Sequence, residues 1–435
     1  MTRMKDSGIE WIGEVPEEWG ITKIKFTTQL NGRIGWQGLT SAEYKEEGPY
    51  LITGTDFLDG KINFETAVHI DEKRWFEAKQ IQVENGDLLI TKDGTVGKVA
   101  IIEGLNEKAS LNSGVLRIQT TENISRRFLF YVLKSDVFWL WFNYTNSGAS
   151  TILHLYQNVF DEFSFTFPNV SEQNQIADFL DKKVAQLDKV KSLLEEQIKT
   201  LEDYRQSLIY ETVTKGLDKT VPLKDSGVDW IGQIPEGWEV KNFKYVVTIK
   251  DGTHDTPEYF VEGVPLITSK NLDSVQNRID FDGAKNISYD DHIKISQRSD
   301  VKKGDILMPM IGTVGGATQV LVEKEFSIKN VALFKVAHDE ALSRFLYYQL
   351  NSRWTNSQLS FMMSGGVQSF VSLNMLSQVK LIIPTSEEIK KINLFLDSGV
   401  GKINQMISIK KEQVENINKQ RQTLIYDVVT GKRRV

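Results

Sequence analysis

The sequence contains no cysteine among its 435 residues. That excludes disulfides, thiol nucleophiles and cysteine-containing zinc sites, and it is compatible with a reducing, cytoplasmic setting. Histidine is almost as scarce. The five present (His69, His154, His254, His292 and His338) are scattered without an H-x₃-H pair, so no zinc-ligand spacing arises. Only nine prolines occur and none adjoins another. No G-x-x-x-x-G-K-[ST] phosphate loop is present, nor a G-x-G-x-x-G turn between a strand and a helix, so ATPase and dinucleotide chemistry find no support. Long apolar runs are missing as well. The most apolar cluster, Val137 to Phe142, is far shorter than the roughly 18 residues of a membrane span, and the polar start carries no signal-peptide core. Positive charge is not in excess, with 52 Lys+Arg against 58 Asp+Glu and a net charge of −6. On its face this balance argues against a nucleic-acid binder.

What is present is a repeat. Lys5-Asp-Ser-Gly-Ile-Glu-Trp-Ile-Gly-Glu-Val-Pro-Glu-Glu-Trp19 recurs as Lys224-Asp-Ser-Gly-Val-Asp-Trp-Ile-Gly-Gln-Ile-Pro-Glu-Gly-Trp238. Gly86-Asp-Leu-Leu-Ile90 and Gly94-Thr-Val-Gly97 recur as Gly304-Asp-Ile-Leu-Met308 and Gly312-Thr-Val-Gly315, and Arg205-Gln-Ser-Leu-Ile-Tyr210 recurs as Arg421-Gln-Thr-Leu-Ile-Tyr426. Order is kept, and each copy is domain-sized rather than a solenoid unit of about 20–50 residues. Between the shared blocks the loops diverge, as expected of two related modules that read different ligands. Trp11, Trp19, Trp230 and Trp238 stand in both copies and read as core anchors rather than base-stacking residues.

Within each copy the texture changes once. Short β-branched and aromatic runs punctuated by glycine, such as Asp87–Thr91, Lys98–Ile102, Gly114–Ile118 and Ala332–Val336, read as strands, interrupted by a helical stretch at Ser125–Phe142 and at Ser343–Asn351. The fold class is therefore α+β, as two tandem-duplicated α/β modules. After Pro168 and Pro384 the period becomes helical. Heptad a positions are Leu180, Leu187, Leu194, Leu201 and Leu208 in the first copy, and Leu396, Ile403, Lys410, Ile417 and Leu424 in the second. Each module is thus followed by a helix of roughly 36–40 residues, on the order of 55–60 Å long. Each apolar stripe needs a partner, and the simplest is the other helix. The short link from Thr212 to Ser226 spans at most about 50 Å, so an antiparallel coiled coil is the less strained pairing. The organisation read from the chain is a first recognition domain over 1–170, a helix over 171–215, a second domain over 216–385 and a second helix over 386–435.

The duplicated opening block, Lys250-Asp-Gly-Thr-His-Asp-Thr-Pro257, the Gly-Asp-(Leu/Ile)-Leu and Gly-Thr-Val-Gly blocks, and the proline and glutamate lead into each helix together resemble the specificity (S) subunits of type I restriction-modification systems. The likeness runs through essentially the whole chain, twice over. The lead-in reads Glu172-Gln173 in one copy and Glu387-Glu388 in the other, a departure from a strict block. The resemblance implies a non-catalytic subunit binding double-stranded DNA, each module reading half of a bipartite site, with the helices as a spacer ruler. It also implies docking of two methyltransferase (modification) subunits, joined by restriction subunits. S-adenosylmethionine, ATP and Mg2+ would belong to those partners and none to this chain. The competing reading is a twin-module scaffold or ligand-binding protein without DNA.

Candidate DNA contacts follow from loops rich in hydrogen-bonding side chains. Lys250, Thr253 and His254 lie in the Lys250–Pro257 loop, for which the alternative is a solvated turn closed by Pro257. Arg33 and Trp36 are its counterparts in the first copy. Thr95 and Thr313 sit in the Gly-Thr-Val-Gly turns, the first flanked by Lys92 and Lys98; these turns either offer N–H groups to phosphate or simply join two strands. Ser147, Ser364 and Gln368 lie in small-residue loops, and Lys270 follows a matched strand.

Overall fold

The computed structural model describes residues 3–33, 39–146, 153–229, 231–311, 315–363 and 370–435. It forms two compact units, Met1–Leu193 with Gln413–Val435, and Leu194–Glu412. Both divisions fall inside the long helices Val170–Lys215 and Ser386–Val429. These helices have 46 and 44 residues, longer than the heptads alone suggested. No helix among the described residues is long and apolar enough to cross a membrane.

In the first unit the glycine-punctuated runs form an antiparallel sheet in the order Val99–Ile101, Leu88–Thr91, Val115–Thr120, Thr28–Gly32. A second sheet pairs Lys45–Ile52 in parallel with Ala109–Leu111. Its edges are Val68–His69 and Gln82–Val83. The expected helical stretch is two helices, Arg126–Lys134 and Asp136–Thr145. Ser135, with φ −83° and ψ 168°, leaves the helical region and accepts from the Val137 N–H, capping the second helix as it ends the first. One face of each helix, including Phe128, Leu129, Phe138 and Phe142, is buried in the same core as the strand residues Leu88, Ile90 and Leu116.

The second unit repeats this plan. Thr248–Asp251, Val331–Lys335, Ile306–Pro309 and Thr318–Gln319 form an antiparallel sheet. Val264–Ile267 pairs in parallel with Ser327–Ile328. The helices Glu340–Leu350 and Arg353–Met363 cover the larger core with Phe345, Leu346, Tyr348, Trp354 and Leu359.

The shared blocks prove to be the joints of each unit. Trp19 is buried and donates its indole N–H to Glu172 at 3.0 Å; Trp238 does the same to Glu388 at 3.0 Å. The corresponding lead-in residues are therefore Glu172 and Glu388. Gln173, one residue further, is fully buried and bonded to Ser125 N and Pro168 O, where the second copy has the apolar Ile389. Tyr131 donates to Asp181 at 2.6 Å and Tyr348 to Asp397 at 2.5 Å, tying a module helix to a long helix in each unit. Burial and then the neighbouring carboxylate push both phenols above their ordinary range. Asp87 and Asp305 of the Gly-Asp blocks are buried turn acids.

Each core draws on both long helices. The first includes Ile176, Leu180 and Val184 from one helix with Ile425, Val428 and Val429 from the other. Thr166 Oγ1 donates to the Val429 carbonyl at 2.5 Å inside that core. The second includes Ile209 and Val213 with Ile389, Ile392, Leu396 and Val400. Equivalent polar contacts join the helices in each unit. Arg421 donates to Asp188 at 2.7 Å, and Arg205 donates to Asn404 at 2.6 Å.

Of the heptad a positions, Leu180, Leu396 and Ile403 are buried, and Leu187, Leu194, Leu201, Leu208, Ile417 and Leu424 are half-buried. Lys410 at its a position is half-buried, and its ammonium donates to Gln197 at 2.5 Å.

Candidate nucleic-acid interface

In the first unit the hairpin from Thr91 to Lys98 is held by a short network. Thr91 Oγ1 accepts from Lys98 N at 2.9 Å and donates to the Thr95 carbonyl. Gly97 adopts φ +82°, and a Cβ there would lie 2.8 Å from the Trp139 ring, so glycine is required both for the turn and for the close approach. A second turn, Thr53–Asp56, lies against the hairpin. Its buried Asp56 carboxylate accepts from Thr53 N at 2.7 Å and Thr66 Oγ1 at 2.9 Å. Thr95 Oγ1 and Lys98 Nζ both reach the Gly54 carbonyl, at 3.5 and 3.3 Å. The backbone of Lys92 is fixed by Gly114 and Leu155, and Asp93 meets His154 at 2.6 Å. The structure thus gathers Lys92, Thr95 and Lys98 at one rim, joined by Asp93 and His154. Sequence reasoning missed that last pair, which is separated by 61 positions and carries no local pattern.

Arg33 is different. It stands one residue past the strand Thr28–Gly32, 5 % exposed, with Nε on the Leu111 carbonyl at 2.9 Å and Nη2 on Ser110 Oγ at 3.2 Å. Burial, then the nearby Arg74 charge, lowers its pKa to about 10. Its guanidinium ties two strand ends together inside the unit and does not line the rim, which corrects the reading of Arg33 as a DNA contact. Trp36, Ser147, Thr313, Ser364 and Gln368 lie outside the described residues, as does Trp230.

In the second unit the Lys250–Pro257 loop leaves the strand Thr248–Asp251 and lies on Ile328. A Cβ on Gly252 would fall 1.9 Å from the Ile328 carbonyl oxygen, so no other residue fits. Thr253 N donates to that carbonyl at 3.0 Å, and Asn330 N donates back to the Thr253 carbonyl at 3.1 Å. His254 is exposed, with Nε2 on Asp251 at 3.0 Å and Nδ1 facing Asn330 Oδ1 at 2.9 Å. Asp251 is buried and also takes the guanidinium of Arg298. Lys329 reaches Thr256 Oγ1. Lys250 is half-buried on its strand, whereas Lys270 is exposed on the turn Thr268–Asn271. There Asn271 Oδ1 accepts from Thr268 N at 3.0 Å, the role Asp56 plays in the first unit. The structure therefore brings Lys250, Thr253 and His254 together and adds Asp251, Arg298, Lys329 and Asn330. Only Asp251 could have been suspected from the sequence, as part of the same polar loop.

Among the described residues no group of three or more His, Asp or Glu side chains could hold a metal ion. What the two rims offer is hydrogen-bond donors, lysines and an arginine on loops set by rigid turns. Donors of this kind can hydrogen-bond phosphate oxygens and base edges.

Comparison with known proteins agrees with this geometry. The family model described as the type I restriction modification DNA specificity domain matches twice, over residues 38–202 and 235–416. The type I restriction enzyme MjaVIII specificity subunit of Methanocaldococcus jannaschii is 26% identical over 431 residues, covering 97% of this chain and 94% of the relative. The type I restriction enzyme EcoBI specificity subunit of Escherichia coli is 24% identical over 381 residues, covering 84% and 77%. A solved chain from work on complex assembly and conformational transition of the type I R-M system shares the fold, with a TM-score of 0.69 at 15% identity, covering 96% of this chain and 99% of that one. With a family match on each copy of its internal repeat, the chain belongs to the type I restriction-modification DNA specificity family, and is a DNA-binding specificity subunit.

Proposed function

We propose that the chain targets a type I restriction-modification complex to a bipartite DNA site. In this reading residues 1–170 and 216–385 are two recognition domains, each reading one half-site. The helical segments 171–215 and 386–435 form an antiparallel coiled coil that sets the spacer and docks two methyltransferase subunits, to which restriction subunits add. Support for the pairing comes from the order of its contacts. Within the second unit, moving from Gln197 to Arg205 on one helix meets Lys410 and then Asn404 on the other. S-adenosylmethionine, ATP and Mg2+ would act in the partners.

The observation that carries the proposal is sameness of frame with difference of rim. The Trp–Glu, Tyr–Asp and buried Asp joints recur in both units. The rims do not, since one is built on Asp93 and His154 and the other on Asp251, His254 and Arg298. Lys92, Thr95 and Lys98 would serve the first half-site, and Lys250, Thr253 and Lys270 the second. A net charge of −6 leaves much of the non-specific phosphate attraction to the partners. The test is to map methylated adenines in the genome of cells carrying the system, before and after residues 20–168 are replaced by another member's segment. A two-part motif in which one half changes is expected. A change in both halves, or no two-part motif, would overturn the proposal.

A further inference from the structure

We infer that Arg298 is a specificity-determining residue of the second recognition domain that reads a guanine, and that buried Asp251 is its positioning residue. The inference rests on the reading of residues 216–385 as a DNA-recognition domain and goes on to name the side chain and the base.

Asp251 closes its strand and is only 4 % exposed. One carboxylate oxygen takes Arg298 Nη2, and the other takes His254 Nε2 at 3.0 Å. The two donors come from different segments: His254 from the loop pinned on Ile328 by Gly252, Arg298 from the turn after the helix Tyr289–Ser296. A single buried acid therefore fixes both. His254 has its second ring nitrogen on Asn330, so the imidazole keeps no free nitrogen for a base edge and acts as a brace. Arg298 is the opposite case. Its side chain is 58% exposed, and a guanidinium has five donors, of which the Asp251 contact uses one.

The carboxylate also decides what that guanidinium suits. A buried negative charge beside it offsets the charge that would draw a phosphate. It leaves a planar donor fork with its orientation set in advance, suited to a neutral bidentate acceptor. In the major groove that acceptor is the O6/N7 edge of guanine. Lys329 and the exposed Lys270 in the same domain remain as charge contacts for the backbone. The first domain has no counterpart at Arg33, whose guanidinium is consumed by Leu111 and Ser110.

The experiment uses the full chain assembled with its own methyltransferase subunits. Binding is measured on duplexes in which each base pair of the wild-type motif is replaced in turn. Arg298→Ala should lower discrimination at one G·C pair of the second half-site by about 10-fold or more, leaving the first half-site unchanged. Arg298→Lys should not restore it, because an ammonium lacks the fork. Asp251→Asn should relax the same pair and no other, whereas damage to the domain would erase the whole half-site. Unchanged preference in Arg298→Ala, relaxation at a pair other than G·C, or a uniform affinity loss with a shallower salt dependence would overturn the inference, the last by making Arg298 a phosphate contact. If the wild-type complex shows no two-part motif, the reading of the domains fails first; if it shows one and Arg298→Ala matches it, only this inference fails.

Discussion

The indole nitrogen of Trp238 donates to Glu388 Oε1 at 3.0 Å, joining the end of the repeated opening block to the first turn of a long helix. Glu388 also accepts from Thr385 Oγ1 at 2.7 Å, so one carboxylate caps the helix and anchors the domain. Burial pushes its pKa up, but the Trp238 and Thr385 donors outweigh it and hold the group below its ordinary value of 4.5.

Trp238→Phe should therefore cost about 2–4 kcal/mol, from the lost charged hydrogen bond and the smaller ring in a site closed by Gly216. The sign with pH follows from the lowered pKa. The stabilisation is fully present above the unfolded value near 4.5 and is lost as pH falls below it. Urea unfolding at neutral pH and at successively lower pH should show the gap between wild type and variant narrowing in acid. A gap independent of pH would mean that the carboxylate is not the partner that matters.

Asp305 makes the second prediction. It is fully buried and accepts from Lys302 N, Val336 N, Ala337 N and Lys335 Nζ, at 2.9, 3.0, 3.1 and 2.5 Å. Asp305→Ala strands three N–H groups and removes the charged partner of Lys335, whose ammonium keeps only the Asp300 carbonyl at 2.6 Å, and should cost about 3–5 kcal/mol. Asp87→Ala should behave alike through Glu84 N and Arg117. Chemical denaturation with tryptophan fluorescence reads both, and losses below about 1 kcal/mol would refute the assignment of these acids as structural.

Two glycines should respond with opposite signs. Gly252→Ala places a methyl 1.9 Å from a backbone oxygen, which cannot yield, and should unfold the Lys250–Pro257 loop and open it to proteolysis. Gly401 lies in the second long helix, where an added methyl would meet nothing within 4 Å, so Gly401→Ala should stabilise by about 0.5–1 kcal/mol. Limited proteolysis and thermal melts distinguish the two.

The frame was legible in the sequence because it is local or repeated. The heptad pattern announced both helices, with leucine at every a position of the first and a mixed set in the second, and a tryptophan kept in both copies at Trp19 and Trp238 read as core before its indole partner was known. The rim was not legible, because Asp251 and Arg298 are joined only by folding and neither lies in a motif that names the other. Arg33 misled for the same reason: a basic residue beside glycines looks like a loop contact until the strand end at Leu111 supplies a carbonyl. Nor could heptads alone show that Ile425, Val428 and Val429 complete the first core.

The ruler can be tested by length. In the proposed coiled coil, a heptad inserted into each helix at facing positions preserves the apolar stripe, because seven residues return the same face to the seam. It adds about 10 Å of rise, and DNA rises about 3.4 Å per base pair along a strand. The unspecified spacer of the methylation motif should therefore grow by about three base pairs while both half-sites keep their sequences. An insertion of two residues into each helix should instead rotate Leu180-type positions out of the seam and abolish methylation. An unchanged spacer in the heptad variant, with methylation intact, would show that the separation of the half-sites is not set by these helices.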